Sequence, residues 1–310
     1  MLLTSPVILG IESSCDETAA SIVENGRRVR SNVVATQHDL HEEYAGVVPE
    51  IASRAHLERI VPVVLETAKL ADYQLDELDA IAVGHRPGLI GSLLVGVSAA
   101  KALAWSLELP IIGVDHIHAH LYSGQLDREL VDYPALGLVV SGGHTSLYRL
   151  EDPLEIALLG RTIDDAVGEA FDKAATILDL GYPGGPAIEH AARNGDPRAH
   201  DFPVANLRNQ PLDFSFSGLK TALLYAVRGQ PVGRGAEATF ERNANELDEQ
   251  SIADFAASFQ QAAMQAVIRN VRRALDQEAD CRAVLAGGGV TANGPLRRAL
   301  TELAKERRLD

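Results

Sequence analysis

The sequence predicts an α/β fold of two lobes on a duplicated plan, and three observations predict it. Runs with strand and helix character alternate from end to end. A strand, a tight turn and a returning strand near residue 7 are echoed by a second such unit near residue 135. With 310 residues, 46% of them hydrophobic, the chain can bury a large core, and at that length two lobes are favoured over one. The N-terminal lobe is set at 1–134 and the C-terminal lobe at 135–310, with the boundary near Tyr133-Pro134.

The elements follow in order. Val7 to Glu12 reads as a strand, Ser13-Ser14-Cys15-Asp16 as a tight polar turn, and Thr18 to Val23 as the next strand. Asn25-Gly26 is a strong hairpin signal before a third strand, Arg27 to Ala35. Helical periodicity runs from about Val48 to Ala71 and is expected to be interrupted at Pro62. Ala80 to Gly84 is a strand. Leu89 to Leu109, apolar but broken by Gly91, Gly96, Lys101 and Glu108, reads as a buried helix rather than a membrane span. Pro110 to Val114 reads as a buried strand.

In the second half, Ala135 to Val140 is a strand, Ser141-Gly142-Gly143 a turn and His144 to Leu150 the returning strand. Helices are expected at 165–180, 186–194, 217–227 and 251–277, with Gly229 to Glu249 as an exposed polar insertion. Arg282 to Ala286 is the last strand and ends in Gly287-Gly288-Gly289. Asn293 as N-cap and Pro295 in the first turn start a final helix, about 293–308, which could return to the first lobe.

The net charge of −15 argues against a generic nucleic-acid binder, because phosphate contacts need clustered Lys and Arg. Two local basic stretches remain, Arg27-Arg28-Val29-Arg30 and the set Arg297, Arg298, Lys305, Arg307 and Arg308; a solvated face is the plainer reading of both. Cys15 and Cys281 are too few for a disulfide framework or a thiolate zinc site. Met1 leads straight into a strand-like run, without the basic start and cleavage site of a signal peptide. A cytoplasmic location is expected, and nothing points to a membrane.

The strongest chemical signal is His116 and His120, four residues apart and therefore on one face of a helix. The strand before them would put the pair at a carboxyl end, where open α/β folds place ligands. Neutral imidazole suits a divalent transition metal. Ile117 stands where the metalloprotease motif has its glutamate, so a metal here would hold or polarise a substrate rather than activate a protease's water. A polar helix face or a cap is the competing reading.

Three strands end in tight polar or glycine turns: Ser13–Asp16, Ser141–Gly143 and Gly287–Gly289. Glycine lets backbone N–H groups converge on an anion. Three such turns over two duplicated halves resemble the actin/Hsp70/sugar-kinase (ASKHA) plan, which implies two lobes around an adenine-nucleotide cleft.

Longer stretches narrow the resemblance. Gly10 to Thr18, Val47 to His56, Val139 to Thr145, Ile163-Asp164-Asp165 with Gly168 to Lys173, and Tyr182 to Pro186 all resemble the tRNA N6-adenosine threonylcarbamoyltransferase (TsaD) family. So do Phe214 to Thr221, Ala256 to Gln260 and Gly287 to Asn293; the resemblance covers the chain in order. It implies transfer of threonylcarbamoyl from threonylcarbamoyl-AMP to N6 of the adenosine 3′ of the anticodon, in tRNAs reading codons that begin with A. It implies substrate contacts by Val139, Val140, Ser141, Gly142 and Gly143 near the phosphate, and by Asp172, Gly185, Glu189 and Asn293 around the adenosine. His116 and His120 would hold one divalent metal per subunit, Fe2+ before Zn2+.

The implied partners are a TsaB-like paralogue, a TsaE-like P-loop ATPase and a TsaC-type enzyme supplying the adenylate. No residue is given a catalytic role, and Glu12 and Asp16 receive no definite one. Read without the resemblance, Asp172 and Glu189 are equally helix-surface charges and Asn293 a helix cap. Lys220 would pair with a cleft carboxylate, a substrate phosphate or an ordinary salt-bridge partner.

Two departures from the family stand out. Arg86 occupies the place of a usual glycine in Arg86-Pro87-Gly88-Leu89, and the sequence stops at Asp310, short of the Thr-Asp-Asn segment that in the family carries the third metal ligand. Weaker metal affinity is the expected consequence. A catalytically impaired adenine-nucleotide-binding scaffold, a metalloendopeptidase and a sugar kinase or ATPase of the same fold are the competing functions.

Overall fold

The structure is a computed structural model that describes residues 5–310 apart from 45, 234–239, 241 and 243, so much of the expected insertion at 229–249 lies outside the described residues. The chain forms two compact units, Met1–Leu130 and Val131–Asp310. The sequence reading sets that boundary at 134/135.

The first unit is built on a sheet in the order β3-β2-β1-β4-β5. Its strands are β1 (Val7–Glu12), β2 (Glu17–Glu24), β3 (Arg28–Thr36), β4 (Ala80–Arg86) and β5 (Ile111–Asp115). β1 runs antiparallel to β2 and parallel to β4. Alternation decides the buried face: Val7, Leu9 and Ile11 are buried while Ile8, Gly10 and Glu12 are only half-buried. The single turn α1 (His38–His41) leads into α2 (Pro49–Ala71), which lays Ile60, Val63, Val64 and Ala68 into the same core. α3 (Ile90–Leu107) and α4 (His116–Ser123) follow β4 and β5.

Three expectations for this unit need correction. α2 continues through Pro62 as one helix. The N–H that proline lacks would have reached Glu58, and both residues are exposed, so the orphaned carbonyl faces solvent while the buried stripe holds the helix together. α3 is not a buried helix. Ser92, Leu93, Gly96, Ala100 and Ala104 are covered, but Ile90, Leu94 and Trp105 are 75%, 58% and 88% exposed. By length and composition alone α3 could cross a membrane, yet its small-residue stripe lies against α2 and β4. β5 is likewise no buried strand, because it is the sheet edge and leaves Ile111 and Ile112 41% and 46% exposed.

The second unit repeats the plan. Its sheet runs β8-β7-β6-β9, from β6 (Ala135–Val140), β7 (Thr145–Leu150), β8 (Ile156–Arg161) and β9 (Ala283–Gly287). As β1 does with β2 and β4, β6 pairs antiparallel with β7 and parallel with β9. β8 was not foreseen in the sequence, yet it completes the match with β3. The helices are α5 (Val167–Ile177), α6 (Gly184–Ala191), α7 (Ser217–Arg228), α8 (Glu249–Gln277) and α9 (Gly294–Arg307). β6 is buried along its whole length, and Phe171 meets Phe259 edge-on with centroids 5.5 Å apart, a geometry that adds about 1 kcal/mol to the burial itself. Leu296 and Leu303 bury the apolar side of α9 in this core, where the sequence had left that helix able to return to the first lobe.

Candidate functional site

In the first unit, the histidine pair lies on α4 as the spacing predicts. Asp115 caps that helix, its Oδ1 accepting from the Ile117 N–H at 2.9 Å. The His116 and His120 rings meet edge-on with centroids 4.4 Å apart. His116 Nδ1 is 3.1 Å from Glu12 Oε2 and 3.2 Å from Ser14 Oγ. A carboxylate only accepts, so Nδ1 carries the proton, and Nε2 would be the nitrogen to face a metal. This is the carboxylate–histidine arrangement that orients metal ligands.

Burial pushes the Glu12 carboxyl up, but the hydrogen bonds from His116 and Ser14 outweigh it and hold the group below its ordinary range. Gly84 makes room for this carboxylate: a Cβ there would lie 2.7 Å from Glu12 Oε2. A cavity of about 210 Å³ opens beside His116, lined among others by Gly10, Glu12, Ser21, Asn32, Gly84 and His116 itself.

Among the described residues no cluster of three or more His, Cys, Asp or Glu could hold a metal ion, so the two histidines could supply only part of a ligand set. Arg86 leaves 71% of its side chain exposed and sets Nε 3.4 Å from Asp115 Oδ2, tying the departing residue to the cap of α4.

In the second unit several of the remaining expected residues are tied by hydrogen bonds to the starts of neighbouring helices. Val139 and Val140 are fully buried, so only their backbone could meet a ligand. The turn after them closes through Ser141 N–H to His144 O at 2.8 Å. Gly168, at the start of α5, donates to Ser141 O at 3.2 Å, and a Cβ on it would lie 2.6 Å from that oxygen. A Cβ on Gly288, at φ +97°, would lie 2.3 Å from Val140 O, so the third turn rests against the second. Asp172 on α5 accepts the Gly184 N–H at 2.8 Å and holds the start of α6. Glu189 on α6 accepts from Gly294 N–H at 3.1 Å and from Asn293 Nδ2 at 3.2 Å. Asn293 also caps α9 through Leu296 N–H at 3.0 Å.

Added Cβ atoms at Gly142, Gly143, Gly185 and Gly289 would meet nothing within 4 Å. These glycines therefore border open space. Around them, Gly168 and Gly288 allow backbone to touch backbone.

The capping reading of Asn293 holds, and it operates together with the Glu189 contact. Lys220 pairs with a carboxylate: its Nζ is 2.8 Å from Asp165 Oδ2, and Lys173 takes Oδ1 at 2.7 Å. In the basic stretch at 27–30, Arg28 and Arg30 share the single Glu24 carboxylate at 3.6 and 3.7 Å. Arg307 of the C-terminal set pairs with Asp276. Sequence reasoning left Glu12 without a role and did not assign Gln260, which accepts from Asn293 Nδ2 at 2.8 Å. Neither role has a spacing signal, because the partners lie 104 and 33 residues away.

A family model described as TsaD, tRNA N6-adenosine threonylcarbamoyltransferase, matches residues 28–310. The tRNA N6-adenosine threonylcarbamoyltransferase of Symbiobacterium thermophilum is 51% identical over 95% of this chain and 82% of its own length. That of Trichlorobacter lovleyi is 50% identical over 98% of this chain and 84% of its own. Among solved structures, HypF of T. kodakarensis shares the fold with a TM-score of 0.58 at 15% identity, over 97% of this chain and 44% of that one.

Proposed function

This chain belongs to the tRNA N6-adenosine threonylcarbamoyltransferase family, an acyltransferase family that forms threonylcarbamoyladenosine in tRNA, and from that premise we propose how its residues divide the work. The donor is threonylcarbamoyl-AMP. The adenosine N6 attacks the carbamoyl carbon, a new N–C bond forms, the bond to the phosphate oxygen breaks, and AMP departs with the electron pair while N6 loses a proton. An exocyclic aromatic amine is a poor nucleophile, so positioning carries much of the rate.

Gly142 and Gly143 present backbone N–H groups to the donor's phosphate at the open end of β6, with Ser141 fixing the turn. Asp172 and Glu189 offer carboxylate oxygens to ribose hydroxyls, Gly185 leaves space for the nucleoside, and Asn293 bounds it. The observation that carries this reading is the set of contacts that joins Ser141 to Gly168, Asp172 to Gly184 and Glu189 to Asn293, together with glycines that border open space.

His116 and His120 would hold one divalent metal, Fe2+ before Zn2+, which supplies charge to polarise the threonyl and carbamoyl oxygens. Glu12 and Ser14 orient His116 for that task. Two imidazoles fit such an ion, and the remaining coordination would fall to other oxygen donors.

The adenylate requires a TsaC-type enzyme that activates threonine and bicarbonate with ATP. A TsaB-like paralogue and a TsaE-like ATPase complete the cytoplasmic assembly. The exposed apolar face of α2 and α3, with Leu57, Val61, Leu65, Ile90 and Leu94, supports a protein partner there. Nucleoside mass spectrometry on unmodified tRNA, incubated with the adenylate, a divalent metal, this chain and the partners, should show threonylcarbamoyladenosine. His116→Ala should abolish the peak. A wild-type mixture without the peak would leave the scaffold reading in its place.

A further inference from the structure

His56 lies on α2, fully buried, and neither the donor nor the metal reading uses it. Both ring nitrogens are occupied: Nε2 is 3.0 Å from the Cys15 carbonyl oxygen and Nδ1 is 2.8 Å from Thr18 Oγ1. A carbonyl can only accept, so Nε2 carries the proton and Nδ1 accepts from the Thr18 hydroxyl. That is one fixed tautomer of a neutral ring. Burial, the largest influence on it, pushes the imidazole below its ordinary pKa, although Cys15 and the nearby carboxylates pull the other way.

The two partners bracket the first turn. Cys15 is inside it, and Thr18 is on β2 immediately after it. The turn's other carbonyls also look outward. Ser14 O accepts from Leu89 N–H at 2.8 Å and Asp16 O from Gln37 N–H at 3.1 Å. Ser92 Oγ reaches Cys15 O only at 3.4 Å, so His56 is the main hold on the middle of the turn. One residue before Cys15, Ser14 contacts His116 Nδ1, as does Glu12 at the end of β1.

We propose that His56 is a positioning residue for the transfer reaction, a buried neutral clamp on Cys15 and Thr18 that keeps Ser14 and Glu12 aligned on His116. The proposal rests on the functional reading above and adds a residue to it. A purely structural histidine would change stability alone. A clamp also sets the tautomer and ligand quality of His116.

The test compares His56→Leu, His56→Gln and Thr18→Val in the full chain. Imidazole 15N shifts of the metal-free protein report the His116 tautomer, and titration with Co2+ reports its affinity. In folded His56→Leu, the fixed Nδ1–H tautomer of His116 should be lost, and Co2+ affinity should fall about tenfold, the size of effect outer-shell partners have. kcat should fall with KM for tRNA unchanged. The Gln amide can donate to Cys15 and accept from Thr18, so His56→Gln should restore all three.

If His56→Leu does not fold, Thr18→Val carries the test, with an intermediate loss of tautomer and affinity expected. A folded leucine or valine variant with wild-type His116 shifts and Co2+ affinity would overturn the clamp. The tautomer is read without tRNA or donor. A wild-type chain that fails to modify tRNA therefore sinks the reaction and leaves the clamp standing.

Discussion

The turn after β1 and the turn after β6 occupy the same place in two sheets that share the order of four strands, yet they are built with different emphasis. Ser13–Asp16 contains no glycine, and side chains join the backbone bonds from Leu89 and Gln37 in holding it: Ser13 Oγ donates to Ser92 O at 2.9 Å, and His56 holds Cys15. Ser141–Gly143 is held through backbone, by the Ser141–His144 and Gly168–Ser141 bonds, with Gly288 against Val140. The first turn therefore presents side chains, Glu12 and Ser14, to a histidine. The second presents bare peptide groups to open space. The same strand–turn–strand unit serves as scaffold in both places; in the proposed reading the residues at the bend make one copy an orienting device and the other an anion cradle.

The largest expected effect tests whether the second turn depends on backbone approach. Gly288→Val adds a side chain 2.3 Å from Val140 O at positive φ and should cost about 3 kcal/mol in urea unfolding. Gly142→Ala meets nothing within 4 Å and should stay within about 0.5 kcal/mol, while raising KM for the adenylate. Equal losses of stability would break the contrast between a supporting and a presenting glycine.

A middle-sized effect belongs to the first turn. Glu12→Gln keeps the shape but removes the charge facing His116, and should weaken Co2+ binding about tenfold by calorimetry with little change in unfolding. Unchanged affinity would mean that this turn is not an orienting device.

The smallest effect lies away from both turns. Arg149 holds the exposed Asp280 carboxyl down to about 2 from an ordinary 3.8. A depressed carboxyl stabilises fully above its unfolded pKa and loses that contribution as pH falls through 3.8 towards about 2. Asp280→Asn should flatten that part of an acid titration followed by circular dichroism and leave both turns untouched.

Legibility in the sequence followed the range of the interaction. The Asn25-Gly26 hairpin was plain, and both residues do adopt positive φ, 51° and 67°. The cap role of Asn293 and the helical spacing of His116 and His120 were equally local. What depends on neighbours was not visible. Pro62 reads as a break until the exposure of Glu58 is known. The burial of α3 and β5 depends on what covers them, which no run of apolar residues states. β8 (Ile156–Arg161) follows Asp152-Pro153, lacks alternation and contains no valine or aromatic residue, so it carried little signal of its own. The residues expected around the donor came from the resemblance. Their mutual hydrogen bonds, such as Glu189 to Asn293, could come only from the fold.

Trp105 is the sole tryptophan of the chain, and it sits 88% exposed on α3. Intrinsic fluorescence of this protein is therefore the voice of one solvent-washed indole. It speaks for whatever comes to lie on that helix and stays nearly silent about the chemistry at either bend.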